Sequence, residues 1–378
     1  MGIKENPMKT KTHFIALLML ALASFAAHAD EKTNALIQAA KDNNAAEVRR
    51  LIADGADVNA TKDYGTYSMT ALIMAAGRNA ADAVRLLLAA GADVDAKDND
   101  GDTALMFAKS ADVAKLLIEA GADVNAKDYA FGRTALMYAA RSNSTDAAKL
   151  LIAAGADVNA KENDGCTVLI MAAECNSADM ARLLIAAGAD VNAEAKDGRT
   201  ALMYAKSADV AKLLIAAGAD VEAMDNLGKT ALMWTAYSRK AEVAKVLIEA
   251  GAVVDAHGDD GKTALMWTTE SNALNIAKLL IAAGADVSAT DYYGWTALKW
   301  AEWKEADDIA ELLKPAGAEP TENAAFPEAA ESPSKEADAK KAPALPIVLV
   351  VAGVAVFAVL LAAILLAVRK RKGGMKQK

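Results

Sequence analysis

The chain has 378 residues and a formal net charge of −9, from 41 lysines and arginines against 50 aspartates and glutamates. Residues 1–11 carry +2 and residues 369–378 carry +6, so everything between them carries −9 − 8 = −17. A body this acidic repels nucleic acid and anionic membrane surfaces, which sets aside a nucleic-acid-binding role and favours cationic partners or none in particular.

At the amino end, Lys9 and Lys11 precede an apolar run from Phe14 to Ala27, and Ala27-His28-Ala29 supplies small residues before Asp30. That pattern predicts a cleaved secretory signal over residues 1–29. From Thr33 the chain reads as a first helix pair, with Leu36, Ile37, Ala39 and Ala40 apolar on one helix and Val48, Leu51 and Ile52 on the other. No hairpin precedes this pair, which suits an amino-terminal cap.

Beyond it, variants of GADVNA recur with glycines at Gly55, Gly91, Gly121, Gly155, Gly188, Gly218, Gly251, Gly284 and Gly317. The steps are 36, 30, 34, 33, 30, 33, 33 and 33 residues, the signature of one supersecondary unit stacked on copies of itself. Each unit keeps one order: a hairpin-like DVNAKD, a turn glycine, a helix opening on TALM, a polar break, and a second helix ending in LLIAAG. Thr134, Thr200, Thr230 and Thr263 stand where helix caps belong. Asn79, Asn143, Asn176 and Asn272 stand at the break, where a left-handed residue is needed. The second helix carries an apolar stripe such as Val113, Leu116, Leu117 and Ala120, and the glycine after it suits a left-handed stop.

This order resembles the ankyrin repeat family from Thr33 to Ala318, with the family's TPLH box standing here as TALM, without its proline and histidine. The resemblance implies an all-α repeat solenoid of about nine helix pairs with short β-hairpin fingers, spanning residues 30–318. It also implies a concave groove of the kind that commonly binds proteins in that family.

Three departures from the period carry local expectations. Thr103 to Gly121 and Thr200 to Gly218 are 18 residues, against 21 from Thr134 to Gly155, which predicts first helices shortened by nearly a turn and a change of curvature. The second repeat is long in KDYGTYSMT, Lys62 to Thr70, predicting an enlarged finger tip with Tyr64 and Tyr67. The last repeat, Trp295 to Ala316, carries Glu302, Glu305, Asp307, Asp308 and Glu311, the polar face of a carboxyl-terminal cap.

Residues 319–345, rich in Pro, Glu, Ala, Lys and Ser, predict a disordered stalk. Residues 346–368 predict a transmembrane helix: Ile347 to Val368 is 22 residues without a charge, roughly 33 Å as a helix. The basic tail, residues 369–378, sets Arg369, Lys370, Arg371 and Lys372 beside that span, against Lys340 and Lys341 on its other side, and so predicts a cytoplasmic carboxyl terminus. Leu345-Pro346 continues into Ile347-Val348 and not into an LPxTG-type sorting signal. The expectation is a monomeric single-pass membrane protein with its repeats on the exported, periplasmic or extracellular side, a layout similar to exported bacterial ankyrin proteins.

At about 100° per residue, the position of Tyr138 lies about 200° round the first helix from Leu136. Through the repeats it holds Met74, Phe107, Tyr138, Met171, Tyr204, Trp234, Trp267 and Trp300. All five tryptophans, with Trp295 and Trp303 completing the set, fall in the last three repeats beside Tyr237, Tyr292 and Tyr293. Aromatics of this kind anchor interfaces, so Tyr138, Tyr204, Trp234, Trp267, Trp295, Trp300, Tyr292 and Tyr293 are the candidate partner-binding residues. The competing reading is that they stack on their neighbours as packing. The finger tips, with Tyr129, Phe131, Asn163, Asp164, Asp197, Leu227, Asp259 and Asp260, are a second candidate edge.

Nothing points to catalysis, a cofactor or a metal. His257 alone remains beyond residue 28, too few histidines for a histidine-centred triad or cluster, and Asp259 with Asp260 gives too few ligands for calcium. Cys166 and Cys175, roughly 13 Å apart on a helix, are too distant for a disulfide and read as packing or as a redox or intermolecular site. Asn59 and Asn143 head Asn-x-Thr triplets that match glycosylation acceptors. The function expected is binding of a protein or peptide; a spacer without a ligand and an accessory to an exported enzyme are the alternatives.

Overall fold

The computed structural model describes residues 31–64 and 68–318. The expected signal (1–29), stalk (319–345), transmembrane helix (346–368) and tail (369–378) lie outside these residues, as does Tyr67. No helix among the described residues is long and apolar enough to cross a membrane.

Helix α1 (31–41) and α2 (Ala45–Ala53) form the first pair. Strands β1 (Thr61–Asp63) and β2 (Ser68–Thr70) lead into α3 (Ala71–Gly77) and α4 (Ala81–Ala89). The same alternation continues with α5 (Ala104–Phe107), α6 (Ala111–Glu119), α7 (Ala135–Arg141), α8 (Thr145–Ala153), α9 (Val168–Glu174) and α10 (Ala178–Ala186). It ends with α11 (Ala201–Tyr204), α12 (Ala208–Ala216), α13 (Ala231–Ser238), α14 (Ala241–Glu249), α15 (Ala264–Ser271), α16 (Leu274–Ala282), α17 (Ala297–Trp303) and α18 (Asp307–Leu313). These are nine helix pairs, and α5 and α11 have only four residues, as the three missing residues in their repeats require.

Threonines hold the cap position of every first helix from α3 onward. Thr70, Thr167, Thr230 and Thr296 also accept the N–H three residues on, whereas Thr134, Thr200 and Thr263 hold the backbone geometry without that bond. Asn79, Asn143, Asn176 and Asn272 are left-handed, with φ of 55°, 53°, 57° and 52°. Arg239 and Glu305 take the same conformation at this break at a cost of about 1 kcal/mol or more each, lacking the local bonds asparagine offers.

The core runs through both helix rows. Leu136, Met137, Ala139 and Ala140 from α7 bury beside Ala147, Ala148 and Leu151 from α8. In α6 the buried stripe is Val113, Ala114 and Leu117, with Leu116 half-buried and Ala120 exposed. Ala120 was expected inside; it lies one residue past the last helical turn, so it caps the helix and Ala114 takes its place. At the far end Glu302, Glu305, Asp307, Asp308 and Glu311 are exposed while Ile309, Ala310 and Leu313 are buried, the one-sided pattern of a cap.

The fingers differ from the expected hairpins. A true ladder forms in the second repeat, pairing Thr61 with Thr70, Lys62 with Met69 and Asp63 with Ser68. Elsewhere the described fingers are turns closed by single bonds such as Asp98 N to Asp102 O (3.0 Å), with isolated bridges at Lys161–Thr167 and Met224–Thr230. A 33-residue unit leaves too few residues for a ladder, and the three added in the 36-residue step provide it.

Successive repeats are stitched at both ends of the unit. Asn125 Oδ1 accepts from Asp157 N (2.9 Å) while its Nδ2 donates to Gly155 O (3.2 Å), and Asn159 and Asn192 repeat the pair one and two repeats on. The fingers touch through one backbone bond per step, among them Tyr129 N to Asp100 O (2.7 Å) and Lys196 N to Asp164 O (2.9 Å). That approach demands glycine: a Cβ on Gly165 (φ +79°) would lie 2.8 Å from Lys196 N, whereas one on Gly155 (φ +91°) meets nothing within 4 Å. Gly155→Ala is expected to cost about 1–2 kcal/mol from backbone conformation alone, and Gly165→Ala at least about 1 kcal/mol more from the forced separation of two fingers. Urea unfolding followed by circular dichroism compares the two; equal losses mean that the fingers part freely.

Candidate binding surface

At Tyr138, Trp234 and Trp300 the stripe side chain is tied to the finger above it by a buried aspartate. Asp128 Oδ1 accepts from Phe131 N (2.6 Å) and Gly132 N (2.8 Å), and its Oδ2 accepts from the Tyr138 hydroxyl (2.9 Å). Asp225 Oδ1 accepts from Leu227 N and Lys229 N, both at 2.9 Å, and its Oδ2 from Trp234 Nε1 (2.9 Å). Asp291 does the same for Tyr293 N, Trp295 N and Trp300 Nε1. One carboxylate oxygen therefore shapes the finger and the other fixes an aromatic ring. In the finger where Ala195 stands at this position, Asp197 Oδ2 lies 3.4 Å from the Tyr204 hydroxyl instead. Recurrence with the repeat accounts for these aspartates as turn residues; the sequence signal for their second role is an aromatic nine or ten residues downstream.

Cations alternate with the rings. The Arg199 guanidinium lies 5.1 Å from the Tyr204 ring and 4.2 Å from Trp234. Lys229 Nζ lies 5.1 Å from Trp234 and 3.8 Å from Trp267, and Lys262 Nζ lies 4.7 Å from Trp267 and 3.8 Å from Trp300. Each cation immediately precedes a capping threonine, so the repeat places it between two stripe rings, where a contact contributes about 0.5–1 kcal/mol. Lys262 is held by Glu270 at 2.5 Å. Burial pulls Lys229 below the usual lysine range, partly offset by the charges of Asp260, Asp225 and Glu270.

The structure separates the eight predicted residues into three groups. Trp295, Trp300 and Trp267, at 0%, 3% and 7% exposure, are buried. Trp295, Trp300 and Trp303 have ring centroids 4.8, 5.9 and 5.4 Å apart, a cluster that closes the last repeat where no further repeat exists to cover it. Tyr138, Tyr204 and Trp234 are half-buried along the stripe with their polar tips engaged. Tyr292 and Tyr293, 77% and 57% exposed, stand on the last finger, and Tyr129, Phe131 and Leu227 are exposed on earlier ones. Tyr237, absent from that set, is exposed and meets both Trp234 and Trp267 edge-on at 5.9 Å.

A family model described as ankyrin repeats (3 copies) matches residues 11–98, 36–128, 110–195, 188–258 and 252–324. The chain belongs to the ankyrin repeat family. A search of curated proteins returns no match. Ankyrin repeats typically mediate binding to protein partners, and in this ankyrin array the half-exposed stripe and the aromatic finger tips are the surfaces a partner can reach.

Both cysteines are free, Cys166 half-buried and Cys175 exposed. Burial first, then the charges of Glu162, Asp197 and Glu174, push the Cys166 thiol up to about 12, so it stays protonated and unreactive at neutral pH. Asn59 and Asn143, which match glycosylation acceptors, already bond across the repeat interface, Asn59 to Gly91 O and Asp93 N and Asn143 to the Ser177 hydroxyl.

A carboxylate cluster sits at the amino-terminal side of the stripe. The Tyr138 hydroxyl is 2.9 Å from Asp102 Oδ1 as well as from Asp128 Oδ2, and one hydroxyl proton serves only one of them. Burial raises Asp102 to about 6, against the lowering effect of the Tyr138 hydrogen bond, and the charges of Asp98, Asp128 and Asp100 add to it. A carboxyl group that holds its proton more tightly when folded stabilises the fold below its unfolded pKa and loses that contribution as pH rises to the folded value. The ankyrin array is therefore expected to lose on the order of 1–3 kcal/mol from this group between pH 4 and pH 6. Asp102→Asn should flatten that slope and raise the urea midpoint at pH 7.5 relative to wild type; an unchanged slope means that Asp102 does not hold the proton.

Proposed function

We propose that the chain is a membrane-tethered protein-binding module whose ankyrin surface faces outward from the cytoplasmic membrane. The observation that carries the binding half is the half-buried set Tyr138, Tyr204 and Trp234, each with its polar tip on a finger carboxylate and the last two sharing Arg199, beside exposed tips at Tyr129, Phe131, Tyr292 and Tyr293. A receptor stitched between every pair of repeats needs little ordering when it binds, so more of the contact energy appears as affinity.

The tethering half rests on the sequence: the signal pattern before Asp30, the uncharged run Ile347 to Val368, and the basic cluster after it. A single tether of this kind holds the monomeric array at the membrane surface and raises its effective concentration toward partners there. The segment from 319 to 345 serves as the spacer.

Two experiments test the halves separately. Crosslinking in the native cells should capture a discrete protein that is lost when Tyr292 and Tyr293 are both changed to serine, exposed positions where the fold does not depend on the rings. Capture that is diffuse, or indifferent to the change, favours a spacer without a ligand. The exposed Cys175 thiol should react with a membrane-impermeant maleimide while the cytoplasmic membrane is intact, and a cysteine introduced by Lys376→Cys only after permeabilisation. The reverse pattern overturns the orientation.

A further inference from the structure

Three tryptophans occupy the stripe in successive 33-residue repeats, and each should face a finger aspartate nine residues upstream. Trp234 has Asp225 and Trp300 has Asp291, at 2.9 and 2.8 Å from their indole nitrogens. Trp267 has Gly258. Its indole Nε1 is buried and has no hydrogen-bond partner among the described residues, and the whole side chain is only 7% exposed.

The residue that substitutes in another finger does not substitute here. Asp197 reaches Tyr204 from two positions beyond Ala195, but its counterpart Asp260 accepts from Lys262 N (3.0 Å), lies 4.0 Å from Lys262 Nζ and makes no bond to the indole. Meanwhile Lys229 Nζ sits 3.8 Å from the centre of the Trp267 ring and makes no ion pair among the described residues, while Lys262 on the same ring is already committed to Glu270. A buried N–H without an acceptor is costly, and so is a half-buried ammonium that feels Asp260, Asp225 and Glu270 only at a distance and pairs with none of them. The group that satisfies both is a carboxylate.

We infer that this position takes a carboxylate supplied by a partner, an Asp or Glu side chain of an acidic peptide segment that accepts from Trp267 Nε1 and pairs with Lys229. The inference rests on the reading of the array as a protein-binding module and names the chemistry of its partner. Charge supports it: of the three cations along this stretch, Arg199 pairs with Asp197 and Lys262 with Asp260 and Glu270, which leaves Lys229, without an ion pair among the described residues, as the ammonium beside Trp267 for an incoming carboxylate.

The test uses the full-length chain labelled with 5-fluorotryptophan, whose five tryptophans give five resonances assignable by single Trp→Phe changes. The probe is an acetylated, amidated Ala-Glu hexapeptide, with its Ala-Gln twin as control. The Glu peptide should move the Trp267 resonance saturably, the Gln twin should bind about tenfold more weakly or less, and Lys229→Gln should lose about tenfold. Gly258→Asp should move the resonance without peptide and abolish the response, because the chain then supplies the carboxylate itself; a Cβ there lies 3.2 Å from Asp260 Oδ1, the end of a movable side chain. If that variant fails to fold, Trp267→Phe, which keeps an aromatic side chain and removes the N–H, should weaken peptide binding by about tenfold as read at the neighbouring Trp234 resonance.

Equal binding of the two peptides, or full binding by Gly258→Asp, overturns the inference. So does a Trp267 resonance that moves on dilution without peptide, which assigns the position to a second copy of the chain. A native partner that is still captured by Gly258→Asp and Trp267→Phe leaves the module standing and removes only the carboxylate; absence of any discrete partner in the crosslinking experiment removes the module itself.

Discussion

The rest of the array depends on the side-chain amide of the GADVNA motif reaching into the next repeat. A solenoid gains stability only from neighbours, so each interface must be specified by contacts across one step. Asparagine suits this because it carries both a donor and an acceptor: Asn159 takes Asp190 N on its Oδ1 at 2.8 Å and gives its Nδ2 to Gly188 O at 3.3 Å. Where aspartate stands in the same position only the acceptor remains. Asp95 accepts from Asp123 N and Asp255 from Asp286 N, both at 2.9 Å, with no second bond to the closing glycine of the next repeat. These interfaces are single-pronged, and the array is therefore not uniform along its length.

The second level of organisation is the coupling of fingers to helices through buried carboxylates. A finger turn alone leaves backbone N–H groups to satisfy, and an aromatic stripe alone leaves an indole or hydroxyl tip. Asp225 and Asp291 solve both problems with their two oxygens, so the finger and the ring beneath it are held as one piece. The cations between rings extend this along the stripe, with Arg199, Lys229 and Lys262 each shared by two rings. The outcome is a surface whose side chains are placed before any partner arrives, interrupted at Trp267, where the carboxylate is missing.

The tryptophans show where one-dimensional reasoning stops. Trp234, Trp267 and Trp300 occupy the same helical position and were expected to share a fate as contact residues. Trp300 instead packs with Trp295 and Trp303, because the terminal repeat has no successor and must bury its own apolar surface. Trp234 keeps a reachable edge because Arg199 of the preceding repeat and Lys229 and Tyr237 of its own lie against it, and not an indole cluster. Exposure at this position is decided by the side chains packed around it, which no property of the residue itself records.

What the sequence determined by itself was everything local to one repeat: the period, the threonine at each helix start, the left-handed asparagines and glycines, and the two four-residue helices where residues are missing. Backbone preference and helical periodicity act over a few residues, so these were legible in a single pass. Only the tertiary structure decided that Ala120 faces solvent, that most fingers are single-bonded turns, that finger aspartates hold the stripe, and which aromatics remain reachable. These outcomes turn on where a helix stops, on how few residues a finger has, and on contacts between side chains nine or ten residues apart or one repeat apart, which are brought together only in the folded array.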